Sequence, residues 1–287
     1  MTSSGAPAQM QAFFLALESG QRFCLFHPAR GKARGRVLYI HPFAEEMNKS
    51  RRMVALQARQ LAGAGFSVLQ IDLQGCGDSS GDTGDARWSG WVEDALQAHR
   101  WLRDRADGPL WLWGLRAGCL LATQAAERIE EVSNFLFWQP PGSGKPLIQQ
   151  FLRLKAASEM IGGNAKGVVE GLREQLKRGE SVDVAGYRVA PQLVAGLEQA
   201  VLVPPSGSGA RGQVRWFEVS SRDDAGLSPA STNALQRWRD SGFDVDAQVV
   251  VGPAFWQTTE IEEAPSLIDA TLAALAAAAA ATSALAP

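Results

Sequence analysis

Histidine is scarce in this chain, and its distribution limits the chemistry. Only His27, His41 and His99 occur in 287 residues, so no histidine follows position 99. A site assembled from the later part of the chain has no imidazole of its own to act as general base. Cysteine is equally rare. Cys24, Cys76 and Cys119 lie far apart, without C-x-x-C or Cys/His ligand spacing. That excludes a disulfide framework and an ordinary structural zinc site, and it makes a reducing compartment the default. No metal and no cofactor is expected. Net charge is nearly absent: 28 Lys and Arg against 30 Asp and Glu leave a formal charge of -2. A chain so balanced has no field to attract a polyanion, so nucleic acid is not an expected partner. Long apolar runs are missing as well. The stretch 272–286 is mostly alanine, which partitions too weakly to span a bilayer. It reads as a helix end fraying into a tail. The opening MTSSGAPAQMQ lacks a basic segment followed by an apolar one, so it does not read as a secretory signal, and a cytoplasmic location is the expectation.

What is present is a 46% hydrophobic chain, long enough for a sizeable core. Apolar runs at 13–17 and 22–26, separated by Ser19-Gly20, read as a hairpin. From Val37 the pattern changes to continuous apolar runs of the kind buried on both faces: 37–40, 66–71, 110–113, 132–138, 214–219 and 245–251. Helical patterns lie between or after them at about 50–63, 91–105, 116–128, 228–240 and from 258 onward. This alternation predicts an α/β architecture with a mostly parallel central sheet covered on both faces. It stops between Gln139 and Ser208, where Pro140-Pro141-Gly142 and Pro204-Pro205 bracket helical stretches at about 146–161 and 166–178. The expected organisation is a disordered N-terminus (1–11), a core from 12–139 and 209–275, an inserted helical cap at 140–208, and an alanine-rich tail at 276–287.

Gly114-Leu115-Arg116-Ala117-Gly118 follows one of these strands and opens a helix. It has the spacing of the G-x-S-x-G elbow, on which an α/β-hydrolase presents its nucleophile. Arginine stands at the nucleophile position, and a guanidinium offers no lone pair with which to attack a carbonyl. The loop His41-Pro42-Phe43 follows the first parallel strand, where this fold supplies an oxyanion-hole N–H. Phe43 and Ala117 are the candidate donors. Asp72-Leu73-Gln74-Gly75-Cys76-Gly77-Asp78-Ser79-Ser80-Gly81 resembles the D-x-x-G-x-G-x-S-x-G loop of such hydrolases, and Ser79 and Ser80 read as structural within it. A triad acid would follow strand 214–219, where Asp223 and Asp224 are candidates. A triad histidine would follow strand 245–251, where the chain reads Gly252-Pro253-Ala254-Phe255-Trp256. The histidine is therefore missing along with the serine. His41 reads as the anchor of its turn, His99 as an ordinary side chain of a surface helix, and Cys119 as a buried thiol without a base to activate it.

The string His41-Pro42-Phe43-Ala44-Glu45-Glu46-Met47-Asn48-Lys49-Ser50-Arg51-Arg52 is more specific than the elbow. Together with Gly114-Leu115-Arg116, Ala185-Gly186-Tyr187 and Gly252-Pro253-Ala254-Phe255-Trp256, it resembles the second type of exosortase-A-system-associated hydrolase. That family belongs to the α/β-hydrolase superfamily and accompanies bacterial exopolysaccharide and PEP-CTERM sorting loci. The resemblance covers about residues 12 to 275 and implies the α/β-hydrolase fold with an inserted helical cap. It leaves the reaction open, because fold does not determine function.

From the residues, an elbow cation beside two backbone donors and a helix N-terminus suits an anion. A buried guanidinium also needs a carboxylate, and Glu45, Glu46, Asp223 and Asp224 are in range of the expected geometry. The expected ligand-binding set is Phe43, Glu45, Glu46, Arg116, Ala117 and Trp256, with a small, possibly anionic molecule as partner. Two functions stand. One is a binder of a small anionic or acyl ligand with weak or no hydrolysis. The other is an esterase- or thioesterase-like hydrolase with a non-standard apparatus.

Overall fold

The computed structural model describes residues 9–160, 167–206 and 212–284. Residues 1–8 of the expected disordered N-terminus, the join between the two expected cap helices (161–166), the end of the expected cap with the first residues of the resumed core (207–211) and residues 285–287 of the expected tail lie outside them.

An antiparallel hairpin, β1 (Gln11–Leu17) and β2 (Gly20–His27), leads into the alternating part of the chain. There follow β3 (Gly35–Ile40), α1 (Glu45–Gly63), β4 (Phe66–Ile71), α2 (Trp88–Arg103), β5 (Leu110–Leu115), α3 (Ala117–Ala126) and β6 (Ser133–Trp138). An insertion that contains β7 (Val182–Val184) and β8 (Tyr187–Val189) follows, and then β9 (Gln213–Ser220), α7 (Pro229–Asp240), β10 (Asp244–Val251) and α8 (Pro265–Ala284). Eight strands form one sheet in the order β1-β2-β4-β3-β5-β6-β9-β10. From β4 to β10 all neighbours are parallel, and the antiparallel hairpin closes one edge.

Because successive strand residues point to opposite faces, each apolar run feeds two cores. Leu38, Ile40, Leu112, Phe135, Phe137 and Trp216 enter the core shared with α2, α3 and α7. Val37, Tyr39, Trp111, Trp113, Leu136, Trp138 and Phe217 enter the core shared with α1 and α8.

Three boundaries differ from the sequence expectation. Helix α1 begins at Glu45 and not near 50, with Ala44 at its N-cap and no side-chain cap. The capping residues that usually mark a helix start are absent there. The remaining signal is a pair of acids, Glu45 and Glu46, in the first turn, where the helix dipole favours them. Helix α8 starts at Pro265, a residue suited to the first helical position, and runs to Ala284. Ala274, Leu275 and Ala278 are buried, so the alanine-rich segment packs as helix beyond the point where a tail was expected.

Between β6 and β9 lie α4 (Lys145–Met160), α5 (Val168–Lys177), β7 (Val182–Val184), β8 (Tyr187–Val189) and α6 (Pro191–Gln199). The β7-β8 hairpin was not expected. Its turn residues Ala185 and Gly186 both have positive φ (51° and 85°), as a primed two-residue turn requires. Helix α4 buries Leu147, Ile148, Phe151 and Leu152, and Phe151 meets the core edge-on at Phe43, with ring centroids 5.0 Å apart.

Candidate functional site

The site begins at the turn from β5 into α3. Arg116 caps α3 with φ 54° and ψ -118°, a conformation that costs a residue with a Cβ about 1–3 kcal/mol and survives only when its surroundings impose it. They do so here. A Cβ on Gly114 would lie 2.5 Å from the Cys119 nitrogen, and one on Gly118 would lie 2.1 Å from the Ile40 carbonyl oxygen. The two glycines allow the turn to fold on itself and to press against the end of β3. The Arg116 N–H donates to the Trp138 carbonyl at 3.0 Å, tying the elbow to β6.

The turn it presses against adopts nearly the same conformation. Ala44, at the start of α1, has φ 50° and ψ -124°. Phe43, Ala44 and Ala117 are all buried. Among the described residues, neither the Phe43 nor the Ala117 N–H is bonded to an acceptor. Buried backbone donors in that state are available to a ligand oxygen.

The Arg116 side chain is 12% exposed. Its Nε and Nη2 lie 3.2 and 3.1 Å from Glu46 Oε1, and Nη2 also donates to Gln150 Oε1 at 3.0 Å. Its Cζ stands 5.8 Å from the centre of the Trp256 ring. Of the four carboxylates offered by the sequence, Glu46 is the partner. Glu45 is adjacent, half-buried, and has its carboxyl pushed up by burial. Asp223 and Asp224 are exposed, and Asp224 pairs with Arg222 at 2.9 Å. The loop after β9 holds both side chains in water, and neither is a partner of Arg116. Gln150 was missed. It comes from the insertion, thirty-four positions from Arg116, and no local pattern announces such a contact.

Burial dominates the state of Glu46. Although Arg116 pulls the other way, desolvation pushes the carboxyl up to about 7. Trp256 occupies the loop in which a triad would carry histidine. It is buried against Phe255 with centroids 5.0 Å apart, and its Nε1 has no partner among the described residues.

The long string at the start of α1 is a hub. Glu46 holds Arg116; Asn48 donates to the Tyr187 hydroxyl at 3.0 Å; Lys49 reaches the Gln257 carbonyl at 3.1 Å. Arg51 pairs with Asp72 at 3.0 Å, and Arg52 with Glu263. One helix end thus joins the elbow, the insertion hairpin and the loop after β10. His41 anchors its turn: Nδ1 faces the Pro42 carbonyl at 2.7 Å, Nε2 accepts the Leu73 N–H at 3.2 Å, and burial holds the ring's pKa down. Ser79 and Ser80 are structural, their hydroxyls accepting the Phe23 and Gln21 N–H groups of β2. Cys119 is fully buried, and burial drives its thiol pKa well up, away from the nucleophilic form. His99 is an ordinary satisfied side chain, buried and facing Glu131 at 2.5 Å. Among the described residues no group of three or more His, Cys, Asp or Glu could hold a metal, and no helix is long and apolar enough to cross a membrane.

Comparison with known proteins agrees with this fold. Residues 31–163 match the family described as serine aminopeptidase, S33, which is under half of the chain. Human Protein ABHD12B is 33% identical over 113 residues, 39% of this chain and 30% of that protein. The match thus spans less than a third of that relative. Est1E from Butyrivibrio proteoclasticus, solved with ferulic acid bound, superposes with a TM-score of 0.68 at 13% identity, over 94% of this chain and all of that one. A thermostable carboxyl esterase from Bacillus coagulans, solved with glycerol, gives 0.62 at 13% identity, over 94% and 99% of the two chains. The fold is that of the α/β-hydrolases.

Proposed function

We propose that this chain binds a small anionic or acyl ligand at Arg116, with weak or no hydrolysis, and that it serves a bacterial exosortase or exopolysaccharide system from the cytoplasm. The observation that carries the binding reading is the guanidinium at the elbow, held in the strained conformation that normally aims a nucleophile. It lies beside two unbonded backbone N–H groups and two helix N-termini, all favourable to negative charge. Phe43, Phe151 and Trp256 give the neighbourhood an apolar body for an acyl or aromatic chain. The association with exosortase systems rests on the resemblance of the α1 string, whose residues here make the contacts that hold the site together.

The unbonded N–H groups also favour a second reading, an esterase- or thioesterase-like hydrolase of low rate. Removing triad members from a serine hydrolase leaves only about 10³- to 10⁴-fold acceleration over water, so such turnover would be slow.

Thermal-shift titration with octanoate and ferulate, run beside hydrolysis of their p-nitrophenyl or methyl esters, separates the two. Binding predicts a Tm that rises with carboxylate concentration in the wild type and not in Arg116→Gln, with ester turnover at background. Ester turnover well above background that survives purification would overturn the binder reading in favour of the hydrolase.

A further inference from the structure

We infer that the Arg116 site binds its anion with Glu46 neutral: above neutrality, where Glu46 is ionised in the empty site, a carboxylate ligand brings a proton with it, so the site captures anions on the acid side of neutrality and releases them on the alkaline side. This deepens the binding reading and rests on it.

The argument is one of charge balance. In the empty site one buried cation faces one buried anion, with side chains 12% and 8% exposed. Both contacts of Arg116 with Glu46 fall on a single oxygen, Oε1, and come from Nε and Nη2. Among the described residues Nη1 has no partner, so an incoming carboxylate has a guanidinium edge to approach whether or not it displaces Glu46. Either way two negative charges then share one guanidinium in a site shielded from water, and like charges brought together there cannot both stay ionised. The ligand's carboxylate is drawn to the unbonded Phe43 and Ala117 N–H groups, whereas Glu46 is desolvated and accepts from no backbone donor, so the proton goes to Glu46.

The other charges around Glu46 do not alter this balance. Lys49, on its own helix, donates to the Gln257 carbonyl at 3.1 Å, and its charge draws the Glu46 carboxyl down by less than burial pushes it up. Glu45, also on α1, adds negative charge and raises the Glu46 carboxyl further. Tyr39 on β3 is neutral in this range, since burial drives its hydroxyl pKa well up. Gln150 from α4 and Trp256 from the loop after β10 carry no charge. With the empty-site value near 7, the ligand only has to raise it for the exchange to fall in the physiological range.

The sign follows from linkage. A ligand that raises a group's pKa binds with proton uptake, so its affinity is highest below the empty-site pKa. Above that value affinity falls, by up to tenfold per pH unit, until the bound-site pKa is passed.

Isothermal titration of octanoate, whose carboxyl is almost fully ionised above pH 6, tests this from pH 6 to 8.5 in paired buffers of different ionisation enthalpy. The expected result is a Kd that weakens roughly fivefold between pH 7 and 8, with close to one proton taken up per ligand at pH 8. Glu46→Gln should bind with a flat pH profile and no uptake. The buffer comparison needs only the wild type, so the inference stays testable if that variant fails to fold. A wild-type Kd that is flat from pH 6 to 8.5 with no buffer dependence overturns the inference while leaving the binding reading intact. A pH profile that Glu46→Gln retains does the same. Failure of both proteins to bind octanoate at any pH overturns both.

Discussion

Two buried ion pairs, Arg22–Asp94 and Arg116–Glu46, show the difference between a pair built to stay shut and one built to be exchanged. Arg22 and Asp94 meet at 2.8 Å with side chains 0% and 3% exposed. Arg22 Nη1 donates to the Ser19 and Gln21 carbonyls and Nη2 to the Ser19 hydroxyl, while Asp94 accepts the Gln74 N–H. These partners are mostly backbone of the hairpin and the Asp72 loop, fixed by the fold. The Arg116 guanidinium has only side-chain partners, Glu46, Gln150 and the Trp256 ring, which come from three different elements. Both carboxylates are pushed up by burial, and Asp94 is pulled back by Arg22 and a backbone donor. Glu46 has no backbone donor to hold its charge, and its pKa is raised to about 7. The contrast teaches that burial alone does not make an ion pair structural; what matters is whether its remaining valences end on backbone.

Breaking each pair should separate them further. Arg22→Ala leaves Asp94 without its cation and the hairpin without its tie, so equilibrium unfolding in urea at pH 7 should show a loss of about 3–5 kcal/mol. Arg116→Ala should cost less, about 1–3 kcal/mol at pH 8, and the loss should shrink at pH 5.5. The sign is as follows. The folded-state pKa of Glu46 is raised above its unfolded value, so at pH 5.5 the carboxyl is already mostly neutral and loses little when Arg116 goes. At pH 8 it is ionised and is left buried and unpaired. Equal losses at both pH values would mean that Glu46 is not the titrating partner. Glu46→Gln keeps a neutral acceptor but leaves the Arg116 guanidinium buried without its anion, so it too should lose about 1–3 kcal/mol at pH 8.

Two further expectations concern chemistry. Arg116→Ser should remain a poor esterase and, like the wild type, should stay unlabelled by a fluorophosphonate probe, because Trp256 stands where a base is needed. Fast labelling of either protein would reveal a base that the geometry does not supply. Asp224→Asn, on an exposed pair with Arg222, should leave Tm and octanoate binding unchanged, the smallest effect of the series.

Much of the fold was legible because a parallel sheet buries both faces of its strands, and runs such as Val37–Ile40 and Leu110–Trp113 admit little else. The elbow was legible because only glycine fits at 114 and 118. The start of α1 was not, since it lacks a capping residue, and the β7-β8 hairpin was hidden in a segment whose helices dominate the pattern. In the site, the sequence offered four carboxylates to Arg116 without ranking them.

The sequence by itself determined what this site lacks and what it must present. There is no serine at the elbow, no histidine after residue 99, and a permanent cation lies on a turn that aims its side chain outward. These are facts of covalent identity and local backbone sterics. Only the tertiary structure decided which anion meets that cation, that Gln150 from the insertion joins it, that Trp256 fills the histidine's loop, and that Asp223 and Asp224 face water. Those outcomes depend on where elements far apart in the chain are packed, and on the dielectric that packing creates, so nothing in the local sequence encodes them.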